Sequence, residues 1–244
     1  MTQQKQIRKW ENINCPVHRK LSPNTENYLY AMYLLDEKDE KITASTLLEY
    51  IKRLPSSENL GTSLPTVTGM LKRMARDHLI TKDKNNEIFL TEYGKISAKE
   101  QTKRFRLASK FLHEILKIRL EDVFQEAHRL EHAMSQEVEN SIDKLLDYPK
   151  KDPFGQTIPG LNFIKNEDNF PLTKTIVNES YVISKIPPEN VEFVEFLNKN
   201  KVLPGNEITI TELSDTRGII SIRIKKNKVD LGLNIAQSIW VKNI

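Results

Sequence analysis

A single cysteine, Cys15, stands among 244 residues. It excludes an internal disulfide framework and fits a reducing compartment. Eight glycines are few for this length and argue against a glycine-rich nucleotide fold. There is no GxGxxG fingerprint, Walker loop or GxSxG elbow, so the residues offer no dinucleotide, P-loop or serine-hydrolase signature. No apolar run approaches the roughly 20 residues of a membrane span. The opening Met1-Thr-Gln-Gln-Lys5 lacks the apolar centre of a secretion signal, so a cytoplasmic protein is expected, with no membrane partner. No internal repeat is visible.

What is present is a soluble, globular composition, 38% hydrophobic and 29% charged, long enough for two domains or one large one. A net charge of +4 permits contact with nucleic acid. The first 22 residues read as a basic arm, with Lys5, Arg8, Lys9, Arg19 and Lys20 around Trp10, suited to phosphates. Cys15-Pro-Val-His18 has ligand-like spacing but is a single pair.

From residue 23 the pattern is helical. Asn24 or Thr25 is a reasonable cap for a helix through Tyr28, Leu29, Met32 and Leu35. A charged turn, Asp36 to Lys41, precedes a second helix with Leu47, Leu48 and Ile51 inward. Residues 54–62 read as a loop rich in Pro, Ser, Asn and Gly. Ser63 caps a third helix, and Pro65 fits its first turn. Ile80-Thr81, a polar turn and Ile88-Phe89-Leu90 read as strand, turn and strand. Three helices and a two-stranded wing make residues 23–95 a winged helix-turn-helix. Its DNA-binding candidates are Ser63, Pro65, Thr66, Thr68, Lys72, Arg73 and Arg76, with Lys82 and Lys84 on the wing. Small hydroxyls at a helix start suit base edges or phosphates, and the cations suit phosphates.

Residues 96–148 read as helical, with a long segment to about Ile115 broken by polar turns and a second from about Glu121 to Leu146. Their apolar surplus calls for a dimer interface. On the second helix His128, Glu131 and His132 fall at i, i+3 and i+4 and share one face. A neighbouring stripe of Val123, Ala127, Leu130, Met134 and Val138 can pack. Two imidazoles and a carboxylate suit a divalent Mn, Fe or Zn ion. The same spacing also describes a solvated face, or the inverted zinc-protease motif with Glu131 as base. Residues 149–173 read as a Pro-rich linker. Residues 174–244 alternate with period two through Thr175-Ile-Val177, Tyr181 to Ser184, Glu207 to Ile210, Gly218 to Ile224 and Ser238 to Val241. With a short helix over Glu189 to Asn198, they read as a small β-barrel.

These pieces resemble the iron- and manganese-dependent repressors of the diphtheria toxin repressor type. The resemblance rests on Thr25-Glu26 before Tyr28-Leu29, Pro65-Thr66-Val67-Thr68, Leu90-Thr91 followed by Gly94, and Glu131-His132 with Met134-Ser135 and Glu137-Val138-Glu139. Asp152-Pro-Phe-Gly155 and Ile158-Pro-Gly160 extend it toward the C-terminal domain. It implies a mainly α protein with an N-terminal winged helix-turn-helix, a helical dimerisation domain and a C-terminal SH3-like (FeoA-like) barrel. It implies a cytoplasmic homodimer that represses transcription at double-stranded operator DNA, not an enzyme and with no small-molecule substrate. One divalent metal per subunit, Mn2+ or Fe2+ with Zn2+ also admitted, would be held by Asn27, His128, Glu131 and His132. The family's second metal site maps to Phe105, Ser109 and Phe124, where the two rings are expected to serve as packing, and to Glu189 and Glu192, expected as surface carboxylates. The alternatives carried forward are a winged-helix regulator with a lost or altered metal response and, more remotely, a metal-dependent hydrolase using HxxEH.

Overall fold

A computed structural model describes residues 21–54, 60–160 and 168–244. The basic arm through Lys20, the Cys15/His18 pair and residues 55–59 of the loop lie outside them, as do residues 161–167 of the linker. The chain divides into two compact units, residues 1–101 and 102–244.

The first unit opens with α1 (Pro23–Glu37), α2 (Ala44–Ile51) and α3 (Leu64–Arg76). Each start is fixed by a hydroxyl that takes a backbone N–H left over at the helix end. Ser22, and not Asn24 or Thr25, caps α1 by accepting from Thr25 N at 3.3 Å. Thr43 and Thr46 close a reciprocal capping box on α2. Ser63 caps α3 as expected, accepting from Thr66 N at 3.4 Å, with Pro65 in the first turn. Tyr28, Leu29 and Met32 of α1, Leu47 and Ile51 of α2, and Val67 and Met74 of α3 are buried, as are Leu79 and Ile88 beyond them. The wing strands β1 (Ile80–Lys82) and β2 (Ile88–Leu90) pair antiparallel, Ile80 facing Leu90. Asp83 turns the chain between them by accepting from Asn85 N and Glu87 N, both at 2.8 Å. Gly94 is required where it stands, because a Cβ there would lie 1.9 Å from the Leu79 carbonyl oxygen.

Helix α4 (Glu92–Glu114) runs without the interruptions expected from its polar residues, and the division between the units falls within it. Thr91 anchors its start: its hydroxyl donates to His78 O at 2.7 Å and accepts from Gly94 N at 3.0 Å. The second unit continues with α5 (Leu120–Glu131) and α6 (Gln136–Leu145). The single long helix expected over Glu121 to Leu146 is thus two. Ser135 caps α6, accepting from Val138 N at 3.3 Å, and that local bond competes with helix continuation.

An antiparallel sheet follows, built from β3 (Phe170–Pro171), β4 (Ser180–Lys185), β5 (Glu207–Ser214), β6 (Ile219–Ile224), β7 (Asn227–Gly232) and β8 (Trp240–Asn243). The strand order is β3-β8-β4-β5-β6-β7, an open sheet among the described residues and not a closed barrel. Helix α7 (Val191–Lys199), capped by Asn190, lies between β4 and β5 in sequence, and the short α8 (Leu233–Ala236) follows β7. Thr175 to Val177 is not the expected strand. It follows a 3-10 turn at Leu172–Lys174, and Ile176 is exposed.

One core joins the sheet to the start of α5. Ile183, Ile208, Ile210, Ile220, Ile222 and Val241 of the sheet meet Val194 and Leu197 of α7, Phe154 of the preceding segment, and Leu120 and Val123 of α5. Phe154 reaches it through a turn in which Asp152 Oδ1 accepts from Phe154 N at 3.0 Å and Gln156 N at 2.8 Å. Gly155, at φ +79°, completes the turn where a Cβ would strike the Ser184 carbonyl oxygen. Among the described residues, no helix is long and apolar enough to cross a membrane.

Two outcomes follow from this packing. Phe154 is fully buried, so Phe154→Ala should lower unfolding stability by about 3 kcal/mol, read from the urea midpoint by Trp240 fluorescence. Burial pushes the Tyr28 hydroxyl, which donates to Leu60 O at 3.4 Å, up to about 12. A raised folded-state value makes its contribution complete below pH ~10, the unfolded value, and lost as pH rises toward 12. In Tyr28→Phe, the fall of stability over that window should be shallower in alkaline denaturation curves.

Candidate metal centre

Helix α5 owes its position to its own pattern. Leu120, Val123 and Ala127 are buried, and Gln125 and Arg129 are exposed. His128 and Glu131 fall on the inward side and are fully buried. His132 is the C-cap residue with helical dihedrals, φ −67° and ψ −21°, so the i+4 spacing from His128 survives the end of the helix. The side chain of His132 is 16% exposed.

The three side chains are drawn together as the spacing predicts. Nδ1 of His128 lies 3.1 Å from Oε1 of Glu131. Nε2 of His132 lies 3.6 Å from the same oxygen. Two imidazoles thus converge on one carboxylate oxygen with almost no water around them. This is a gathering on an oxygen and not around a common centre: among the described residues, no group of three or more His, Cys, Asp or Glu side chains has the spacing of an ion cage. By donor type the set still fits a divalent ion, since imidazole nitrogen and carboxylate oxygen are ordinary ligands for Mn, Fe and Zn. Asn27, the donor that the resemblance added, lies on α1 in the first unit and is fully buried there.

Phe105 and Phe124 pack as the resemblance led one to expect, and they pack on His128 itself. The ring centroids of Phe105 and His128 are 4.6 Å apart at 44°, those of Phe124 and His128 4.7 Å apart at 82°, and the two phenylalanines 5.4 Å apart at 73°. Ser109, fully buried, donates to Phe105 O at 3.0 Å within α4. Glu192 is exposed and Glu189 half-buried, on the segment leading into α7.

A charged network nearby was missed by sequence reading. Glu139, buried on α6, takes Lys103 Nζ at 3.2 Å and Arg104 Nε at 3.5 Å from α4, and Lys103 also meets Asp143 at 2.9 Å. Burial alone would lower the Lys103 value, but the hydrogen bonds to Asp143 and Glu139 outweigh it, and the ammonium is held above its ordinary range. The only signal in the sequence was a pair of acids four apart on α6 and two adjacent cations on α4. Farther along α4, the buried Arg106 donates to Thr157 O at 2.5 Å.

In the first unit the nucleic-acid candidates lie on an open face. Ser63, Pro65, Thr66, Lys72, Arg73, Arg76, Lys82 and Lys84 are exposed and Thr68 is half-buried. The hydroxyls of Ser63 and Thr66 are 2.8 Å apart, and that of Thr68 donates to Leu64 O at 2.8 Å. Arg73 lies 3.9 Å from Asp77 one turn on, a weak exposed pair.

Comparison with known proteins matches most of the chain. Residues 91–160 match the domain described as iron dependent repressor, metal binding and dimerisation domain, and residues 170–243 match the FeoA domain. The diphtheria toxin repressor of Corynebacterium jeikeium is 31% identical over 194 residues, covering 76% of this chain and 77% of that protein. The diphtheria toxin repressor of Corynebacterium diphtheriae is 28% identical over 243 residues, covering 93% of this chain and 100% of that protein. Among solved structures, a manganese-dependent transcriptional repressor in complex with manganese superposes with a TM-score of 0.80 at 25% identity, covering 90% of this chain and 100% of that one. ScaR with bound Cd2+ gives 0.75 at 28% identity, covering 90% and 99%. From its winged helices to its FeoA domain, the chain belongs to the diphtheria toxin repressor family.

Proposed function

We propose that the chain is a metal-dependent transcriptional repressor that binds operator DNA as a cytoplasmic homodimer. The observation that carries this is the convergence of His128 and His132 on the buried Glu131, in a chain whose α3 presents exposed hydroxyls and cations. His128, Glu131 and His132 would hold a divalent ion through imidazole nitrogen and carboxylate oxygen, and the ion would supply a Lewis-acid centre there. Mn2+ or Fe2+ suits the nitrogen and oxygen donors, with Zn2+ also admitted. Asn27 is proposed as a further donor through its amide oxygen, a weaker ligand than a carboxylate. Both imidazoles must offer a lone pair to the ion, so protons compete with it and affinity falls as the medium becomes more acidic.

The DNA-binding residues proposed are Ser63, Pro65, Thr66 and Thr68 at the start of α3, Lys72, Arg73 and Arg76 farther along it, and Lys82 and Lys84 on the wing. Exposed large apolar residues support pairing of subunits. Ile115, Leu116, Val138, Leu145 and Tyr148 lie within the segment that matches the dimerisation domain, and Leu145 and Tyr148 are 60% and 65% exposed. A hydrolytic reading of HxxEH finds no support. Glu131 is buried between two imidazoles, with no exposed face from which to act as a base on water. A second reading, a regulator of the same family with an altered metal response, draws on the gathering of both rings on Glu131 instead of around a common centre.

Affinity for a candidate promoter should rise about 5- to 150-fold on adding Mn2+ or Fe2+ relative to chelator, measured by fluorescence anisotropy at fixed salt. His132→Ala should abolish that response; an undiminished response would refute the assignment, and a flat response in the unaltered protein would favour the second reading. Leu145→Asp should shift sedimentation from dimer to monomer if the exposed face is the pairing surface.

A further inference from the structure

The aromatic packing on His128 goes beyond filling space. The imidazole is fully buried and flanked by two rings of different orientation, Phe105 tilted at 44° and Phe124 edge-on at 82°, at 4.6 and 4.7 Å. Phe105 comes from α4 and Phe124 from the preceding turn of α5. They also pack on each other, edge to face, at 5.4 Å and 73°. An imidazole carries Nδ1 and Nε2 on opposite sides of its Cβ–Cγ axis, and a half-turn about its terminal torsion puts a ring carbon where each nitrogen stood. That torsion is broad and nearly two-fold in an open environment. Here the walls remove the freedom, and the ring sits with Nδ1 toward Glu131 at 3.1 Å.

We infer that Phe105 and Phe124 are positioning residues that hold the His128 imidazole in the single orientation from which it serves the ion. The inference rests on the ion-binding reading above. The rings are neutral and offer no lone pair, so they cannot be ligands; they act through His128. Orienting contacts around a metal ligand commonly matter by one to two orders of magnitude in affinity. Leucine at position 105 keeps the site apolar but removes the flat wall, leaving the imidazole free to turn.

The test uses Phe105→Leu and Phe124→Leu in the full chain, with His113→Ala as a control on a histidine whose Nδ1 lies 3.0 Å from Ile118 O. Histidine ring signals are recorded by nitrogen-15 NMR without any metal, and Co2+ is then titrated while its visible absorption is followed. The unaltered protein should show one His128 ring state, with Nδ1 bearing the proton that faces Glu131. Either leucine variant should show two ring states or exchange broadening, and bind Co2+ about ten-fold more weakly with an altered band. The control should leave both the His128 signal and the cobalt band unchanged. A variant that melts at a lower temperature but keeps the single ring state and the original cobalt band overturns the inference, because the rings would then be packing alone. Should one variant fail to fold, the other decides. No cobalt band in the unaltered protein overturns the ion-binding reading and, with it, the role given to the rings. That failure is distinct from one in which the unaltered protein binds and the variants match it.

Discussion

A carboxylate with no access to water has to be met by donors, and Glu131 is such a carboxylate. Left alone in an apolar interior it would cost on the order of several kcal/mol. Here the imidazoles of His128 and His132 meet it at 3.1 and 3.6 Å. The rest of the second unit makes sense around that requirement. Helix α5 must present His128, Glu131 and His132 on one side at its end, and it ends there, with His132 as a C-cap that keeps helical dihedrals. The Ser135 cap begins α6 after only a short gap. A longer helix would carry its apolar stripe onward; the break lets Met134 stay buried while Val138 turns out at 45% exposure.

Helix α4 supplies the other side of this arrangement by two different means. Phe105 lies against His128 through ring contact, a short-range and shape-dependent interaction. Lys103 and Arg104, just before it, hold α6 through the buried Glu139. Charge fixes one neighbour and shape fixes the other, on adjacent residues of one helix. Because Glu139 is 4% exposed, the pairing is insulated from salt in a way that surface pairs such as Lys95 with Glu92 are not.

Much of this was legible in the chain itself, where local chemistry decides. The i, i+3, i+4 spacing of His128, Glu131 and His132 fixes a shared face whatever the surroundings. Ser63 before Leu64-Pro65 marks a helix start by a rule that needs only neighbouring residues. Long-range partners were harder to see. Nothing in the sequence pairs Phe105 with His128, or Glu139 with Lys103, because those contacts depend on how helices cross. The strand Asn227–Gly232 was hidden because Lys228 and Asp230 occupy its outward positions and only Val229 and Leu231 face inward. Thr175-Ile-Val177 misled for the opposite reason: its β-branched residues favour a strand, but the 3-10 turn before it sends Ile176 into solvent. Ser22 outcompeted Asn24 and Thr25 as a cap because Pro23 follows it, and proline fits the first helical position, where no N–H is needed.

The sharing of Leu120 and Val123 between α5 and the β-sheet core has a consequence for how the C-terminal domain is regarded. That domain is not a passenger on the helices. Asn198 of α7 reaches Glu121 at 3.4 Å, and the same helix sets Val194 and Leu197 beneath Leu120 and Val123. The root of the rod that bears the histidines is therefore set in the domain behind it, as a blade is set in its handle. Loosening the handle would blunt the blade.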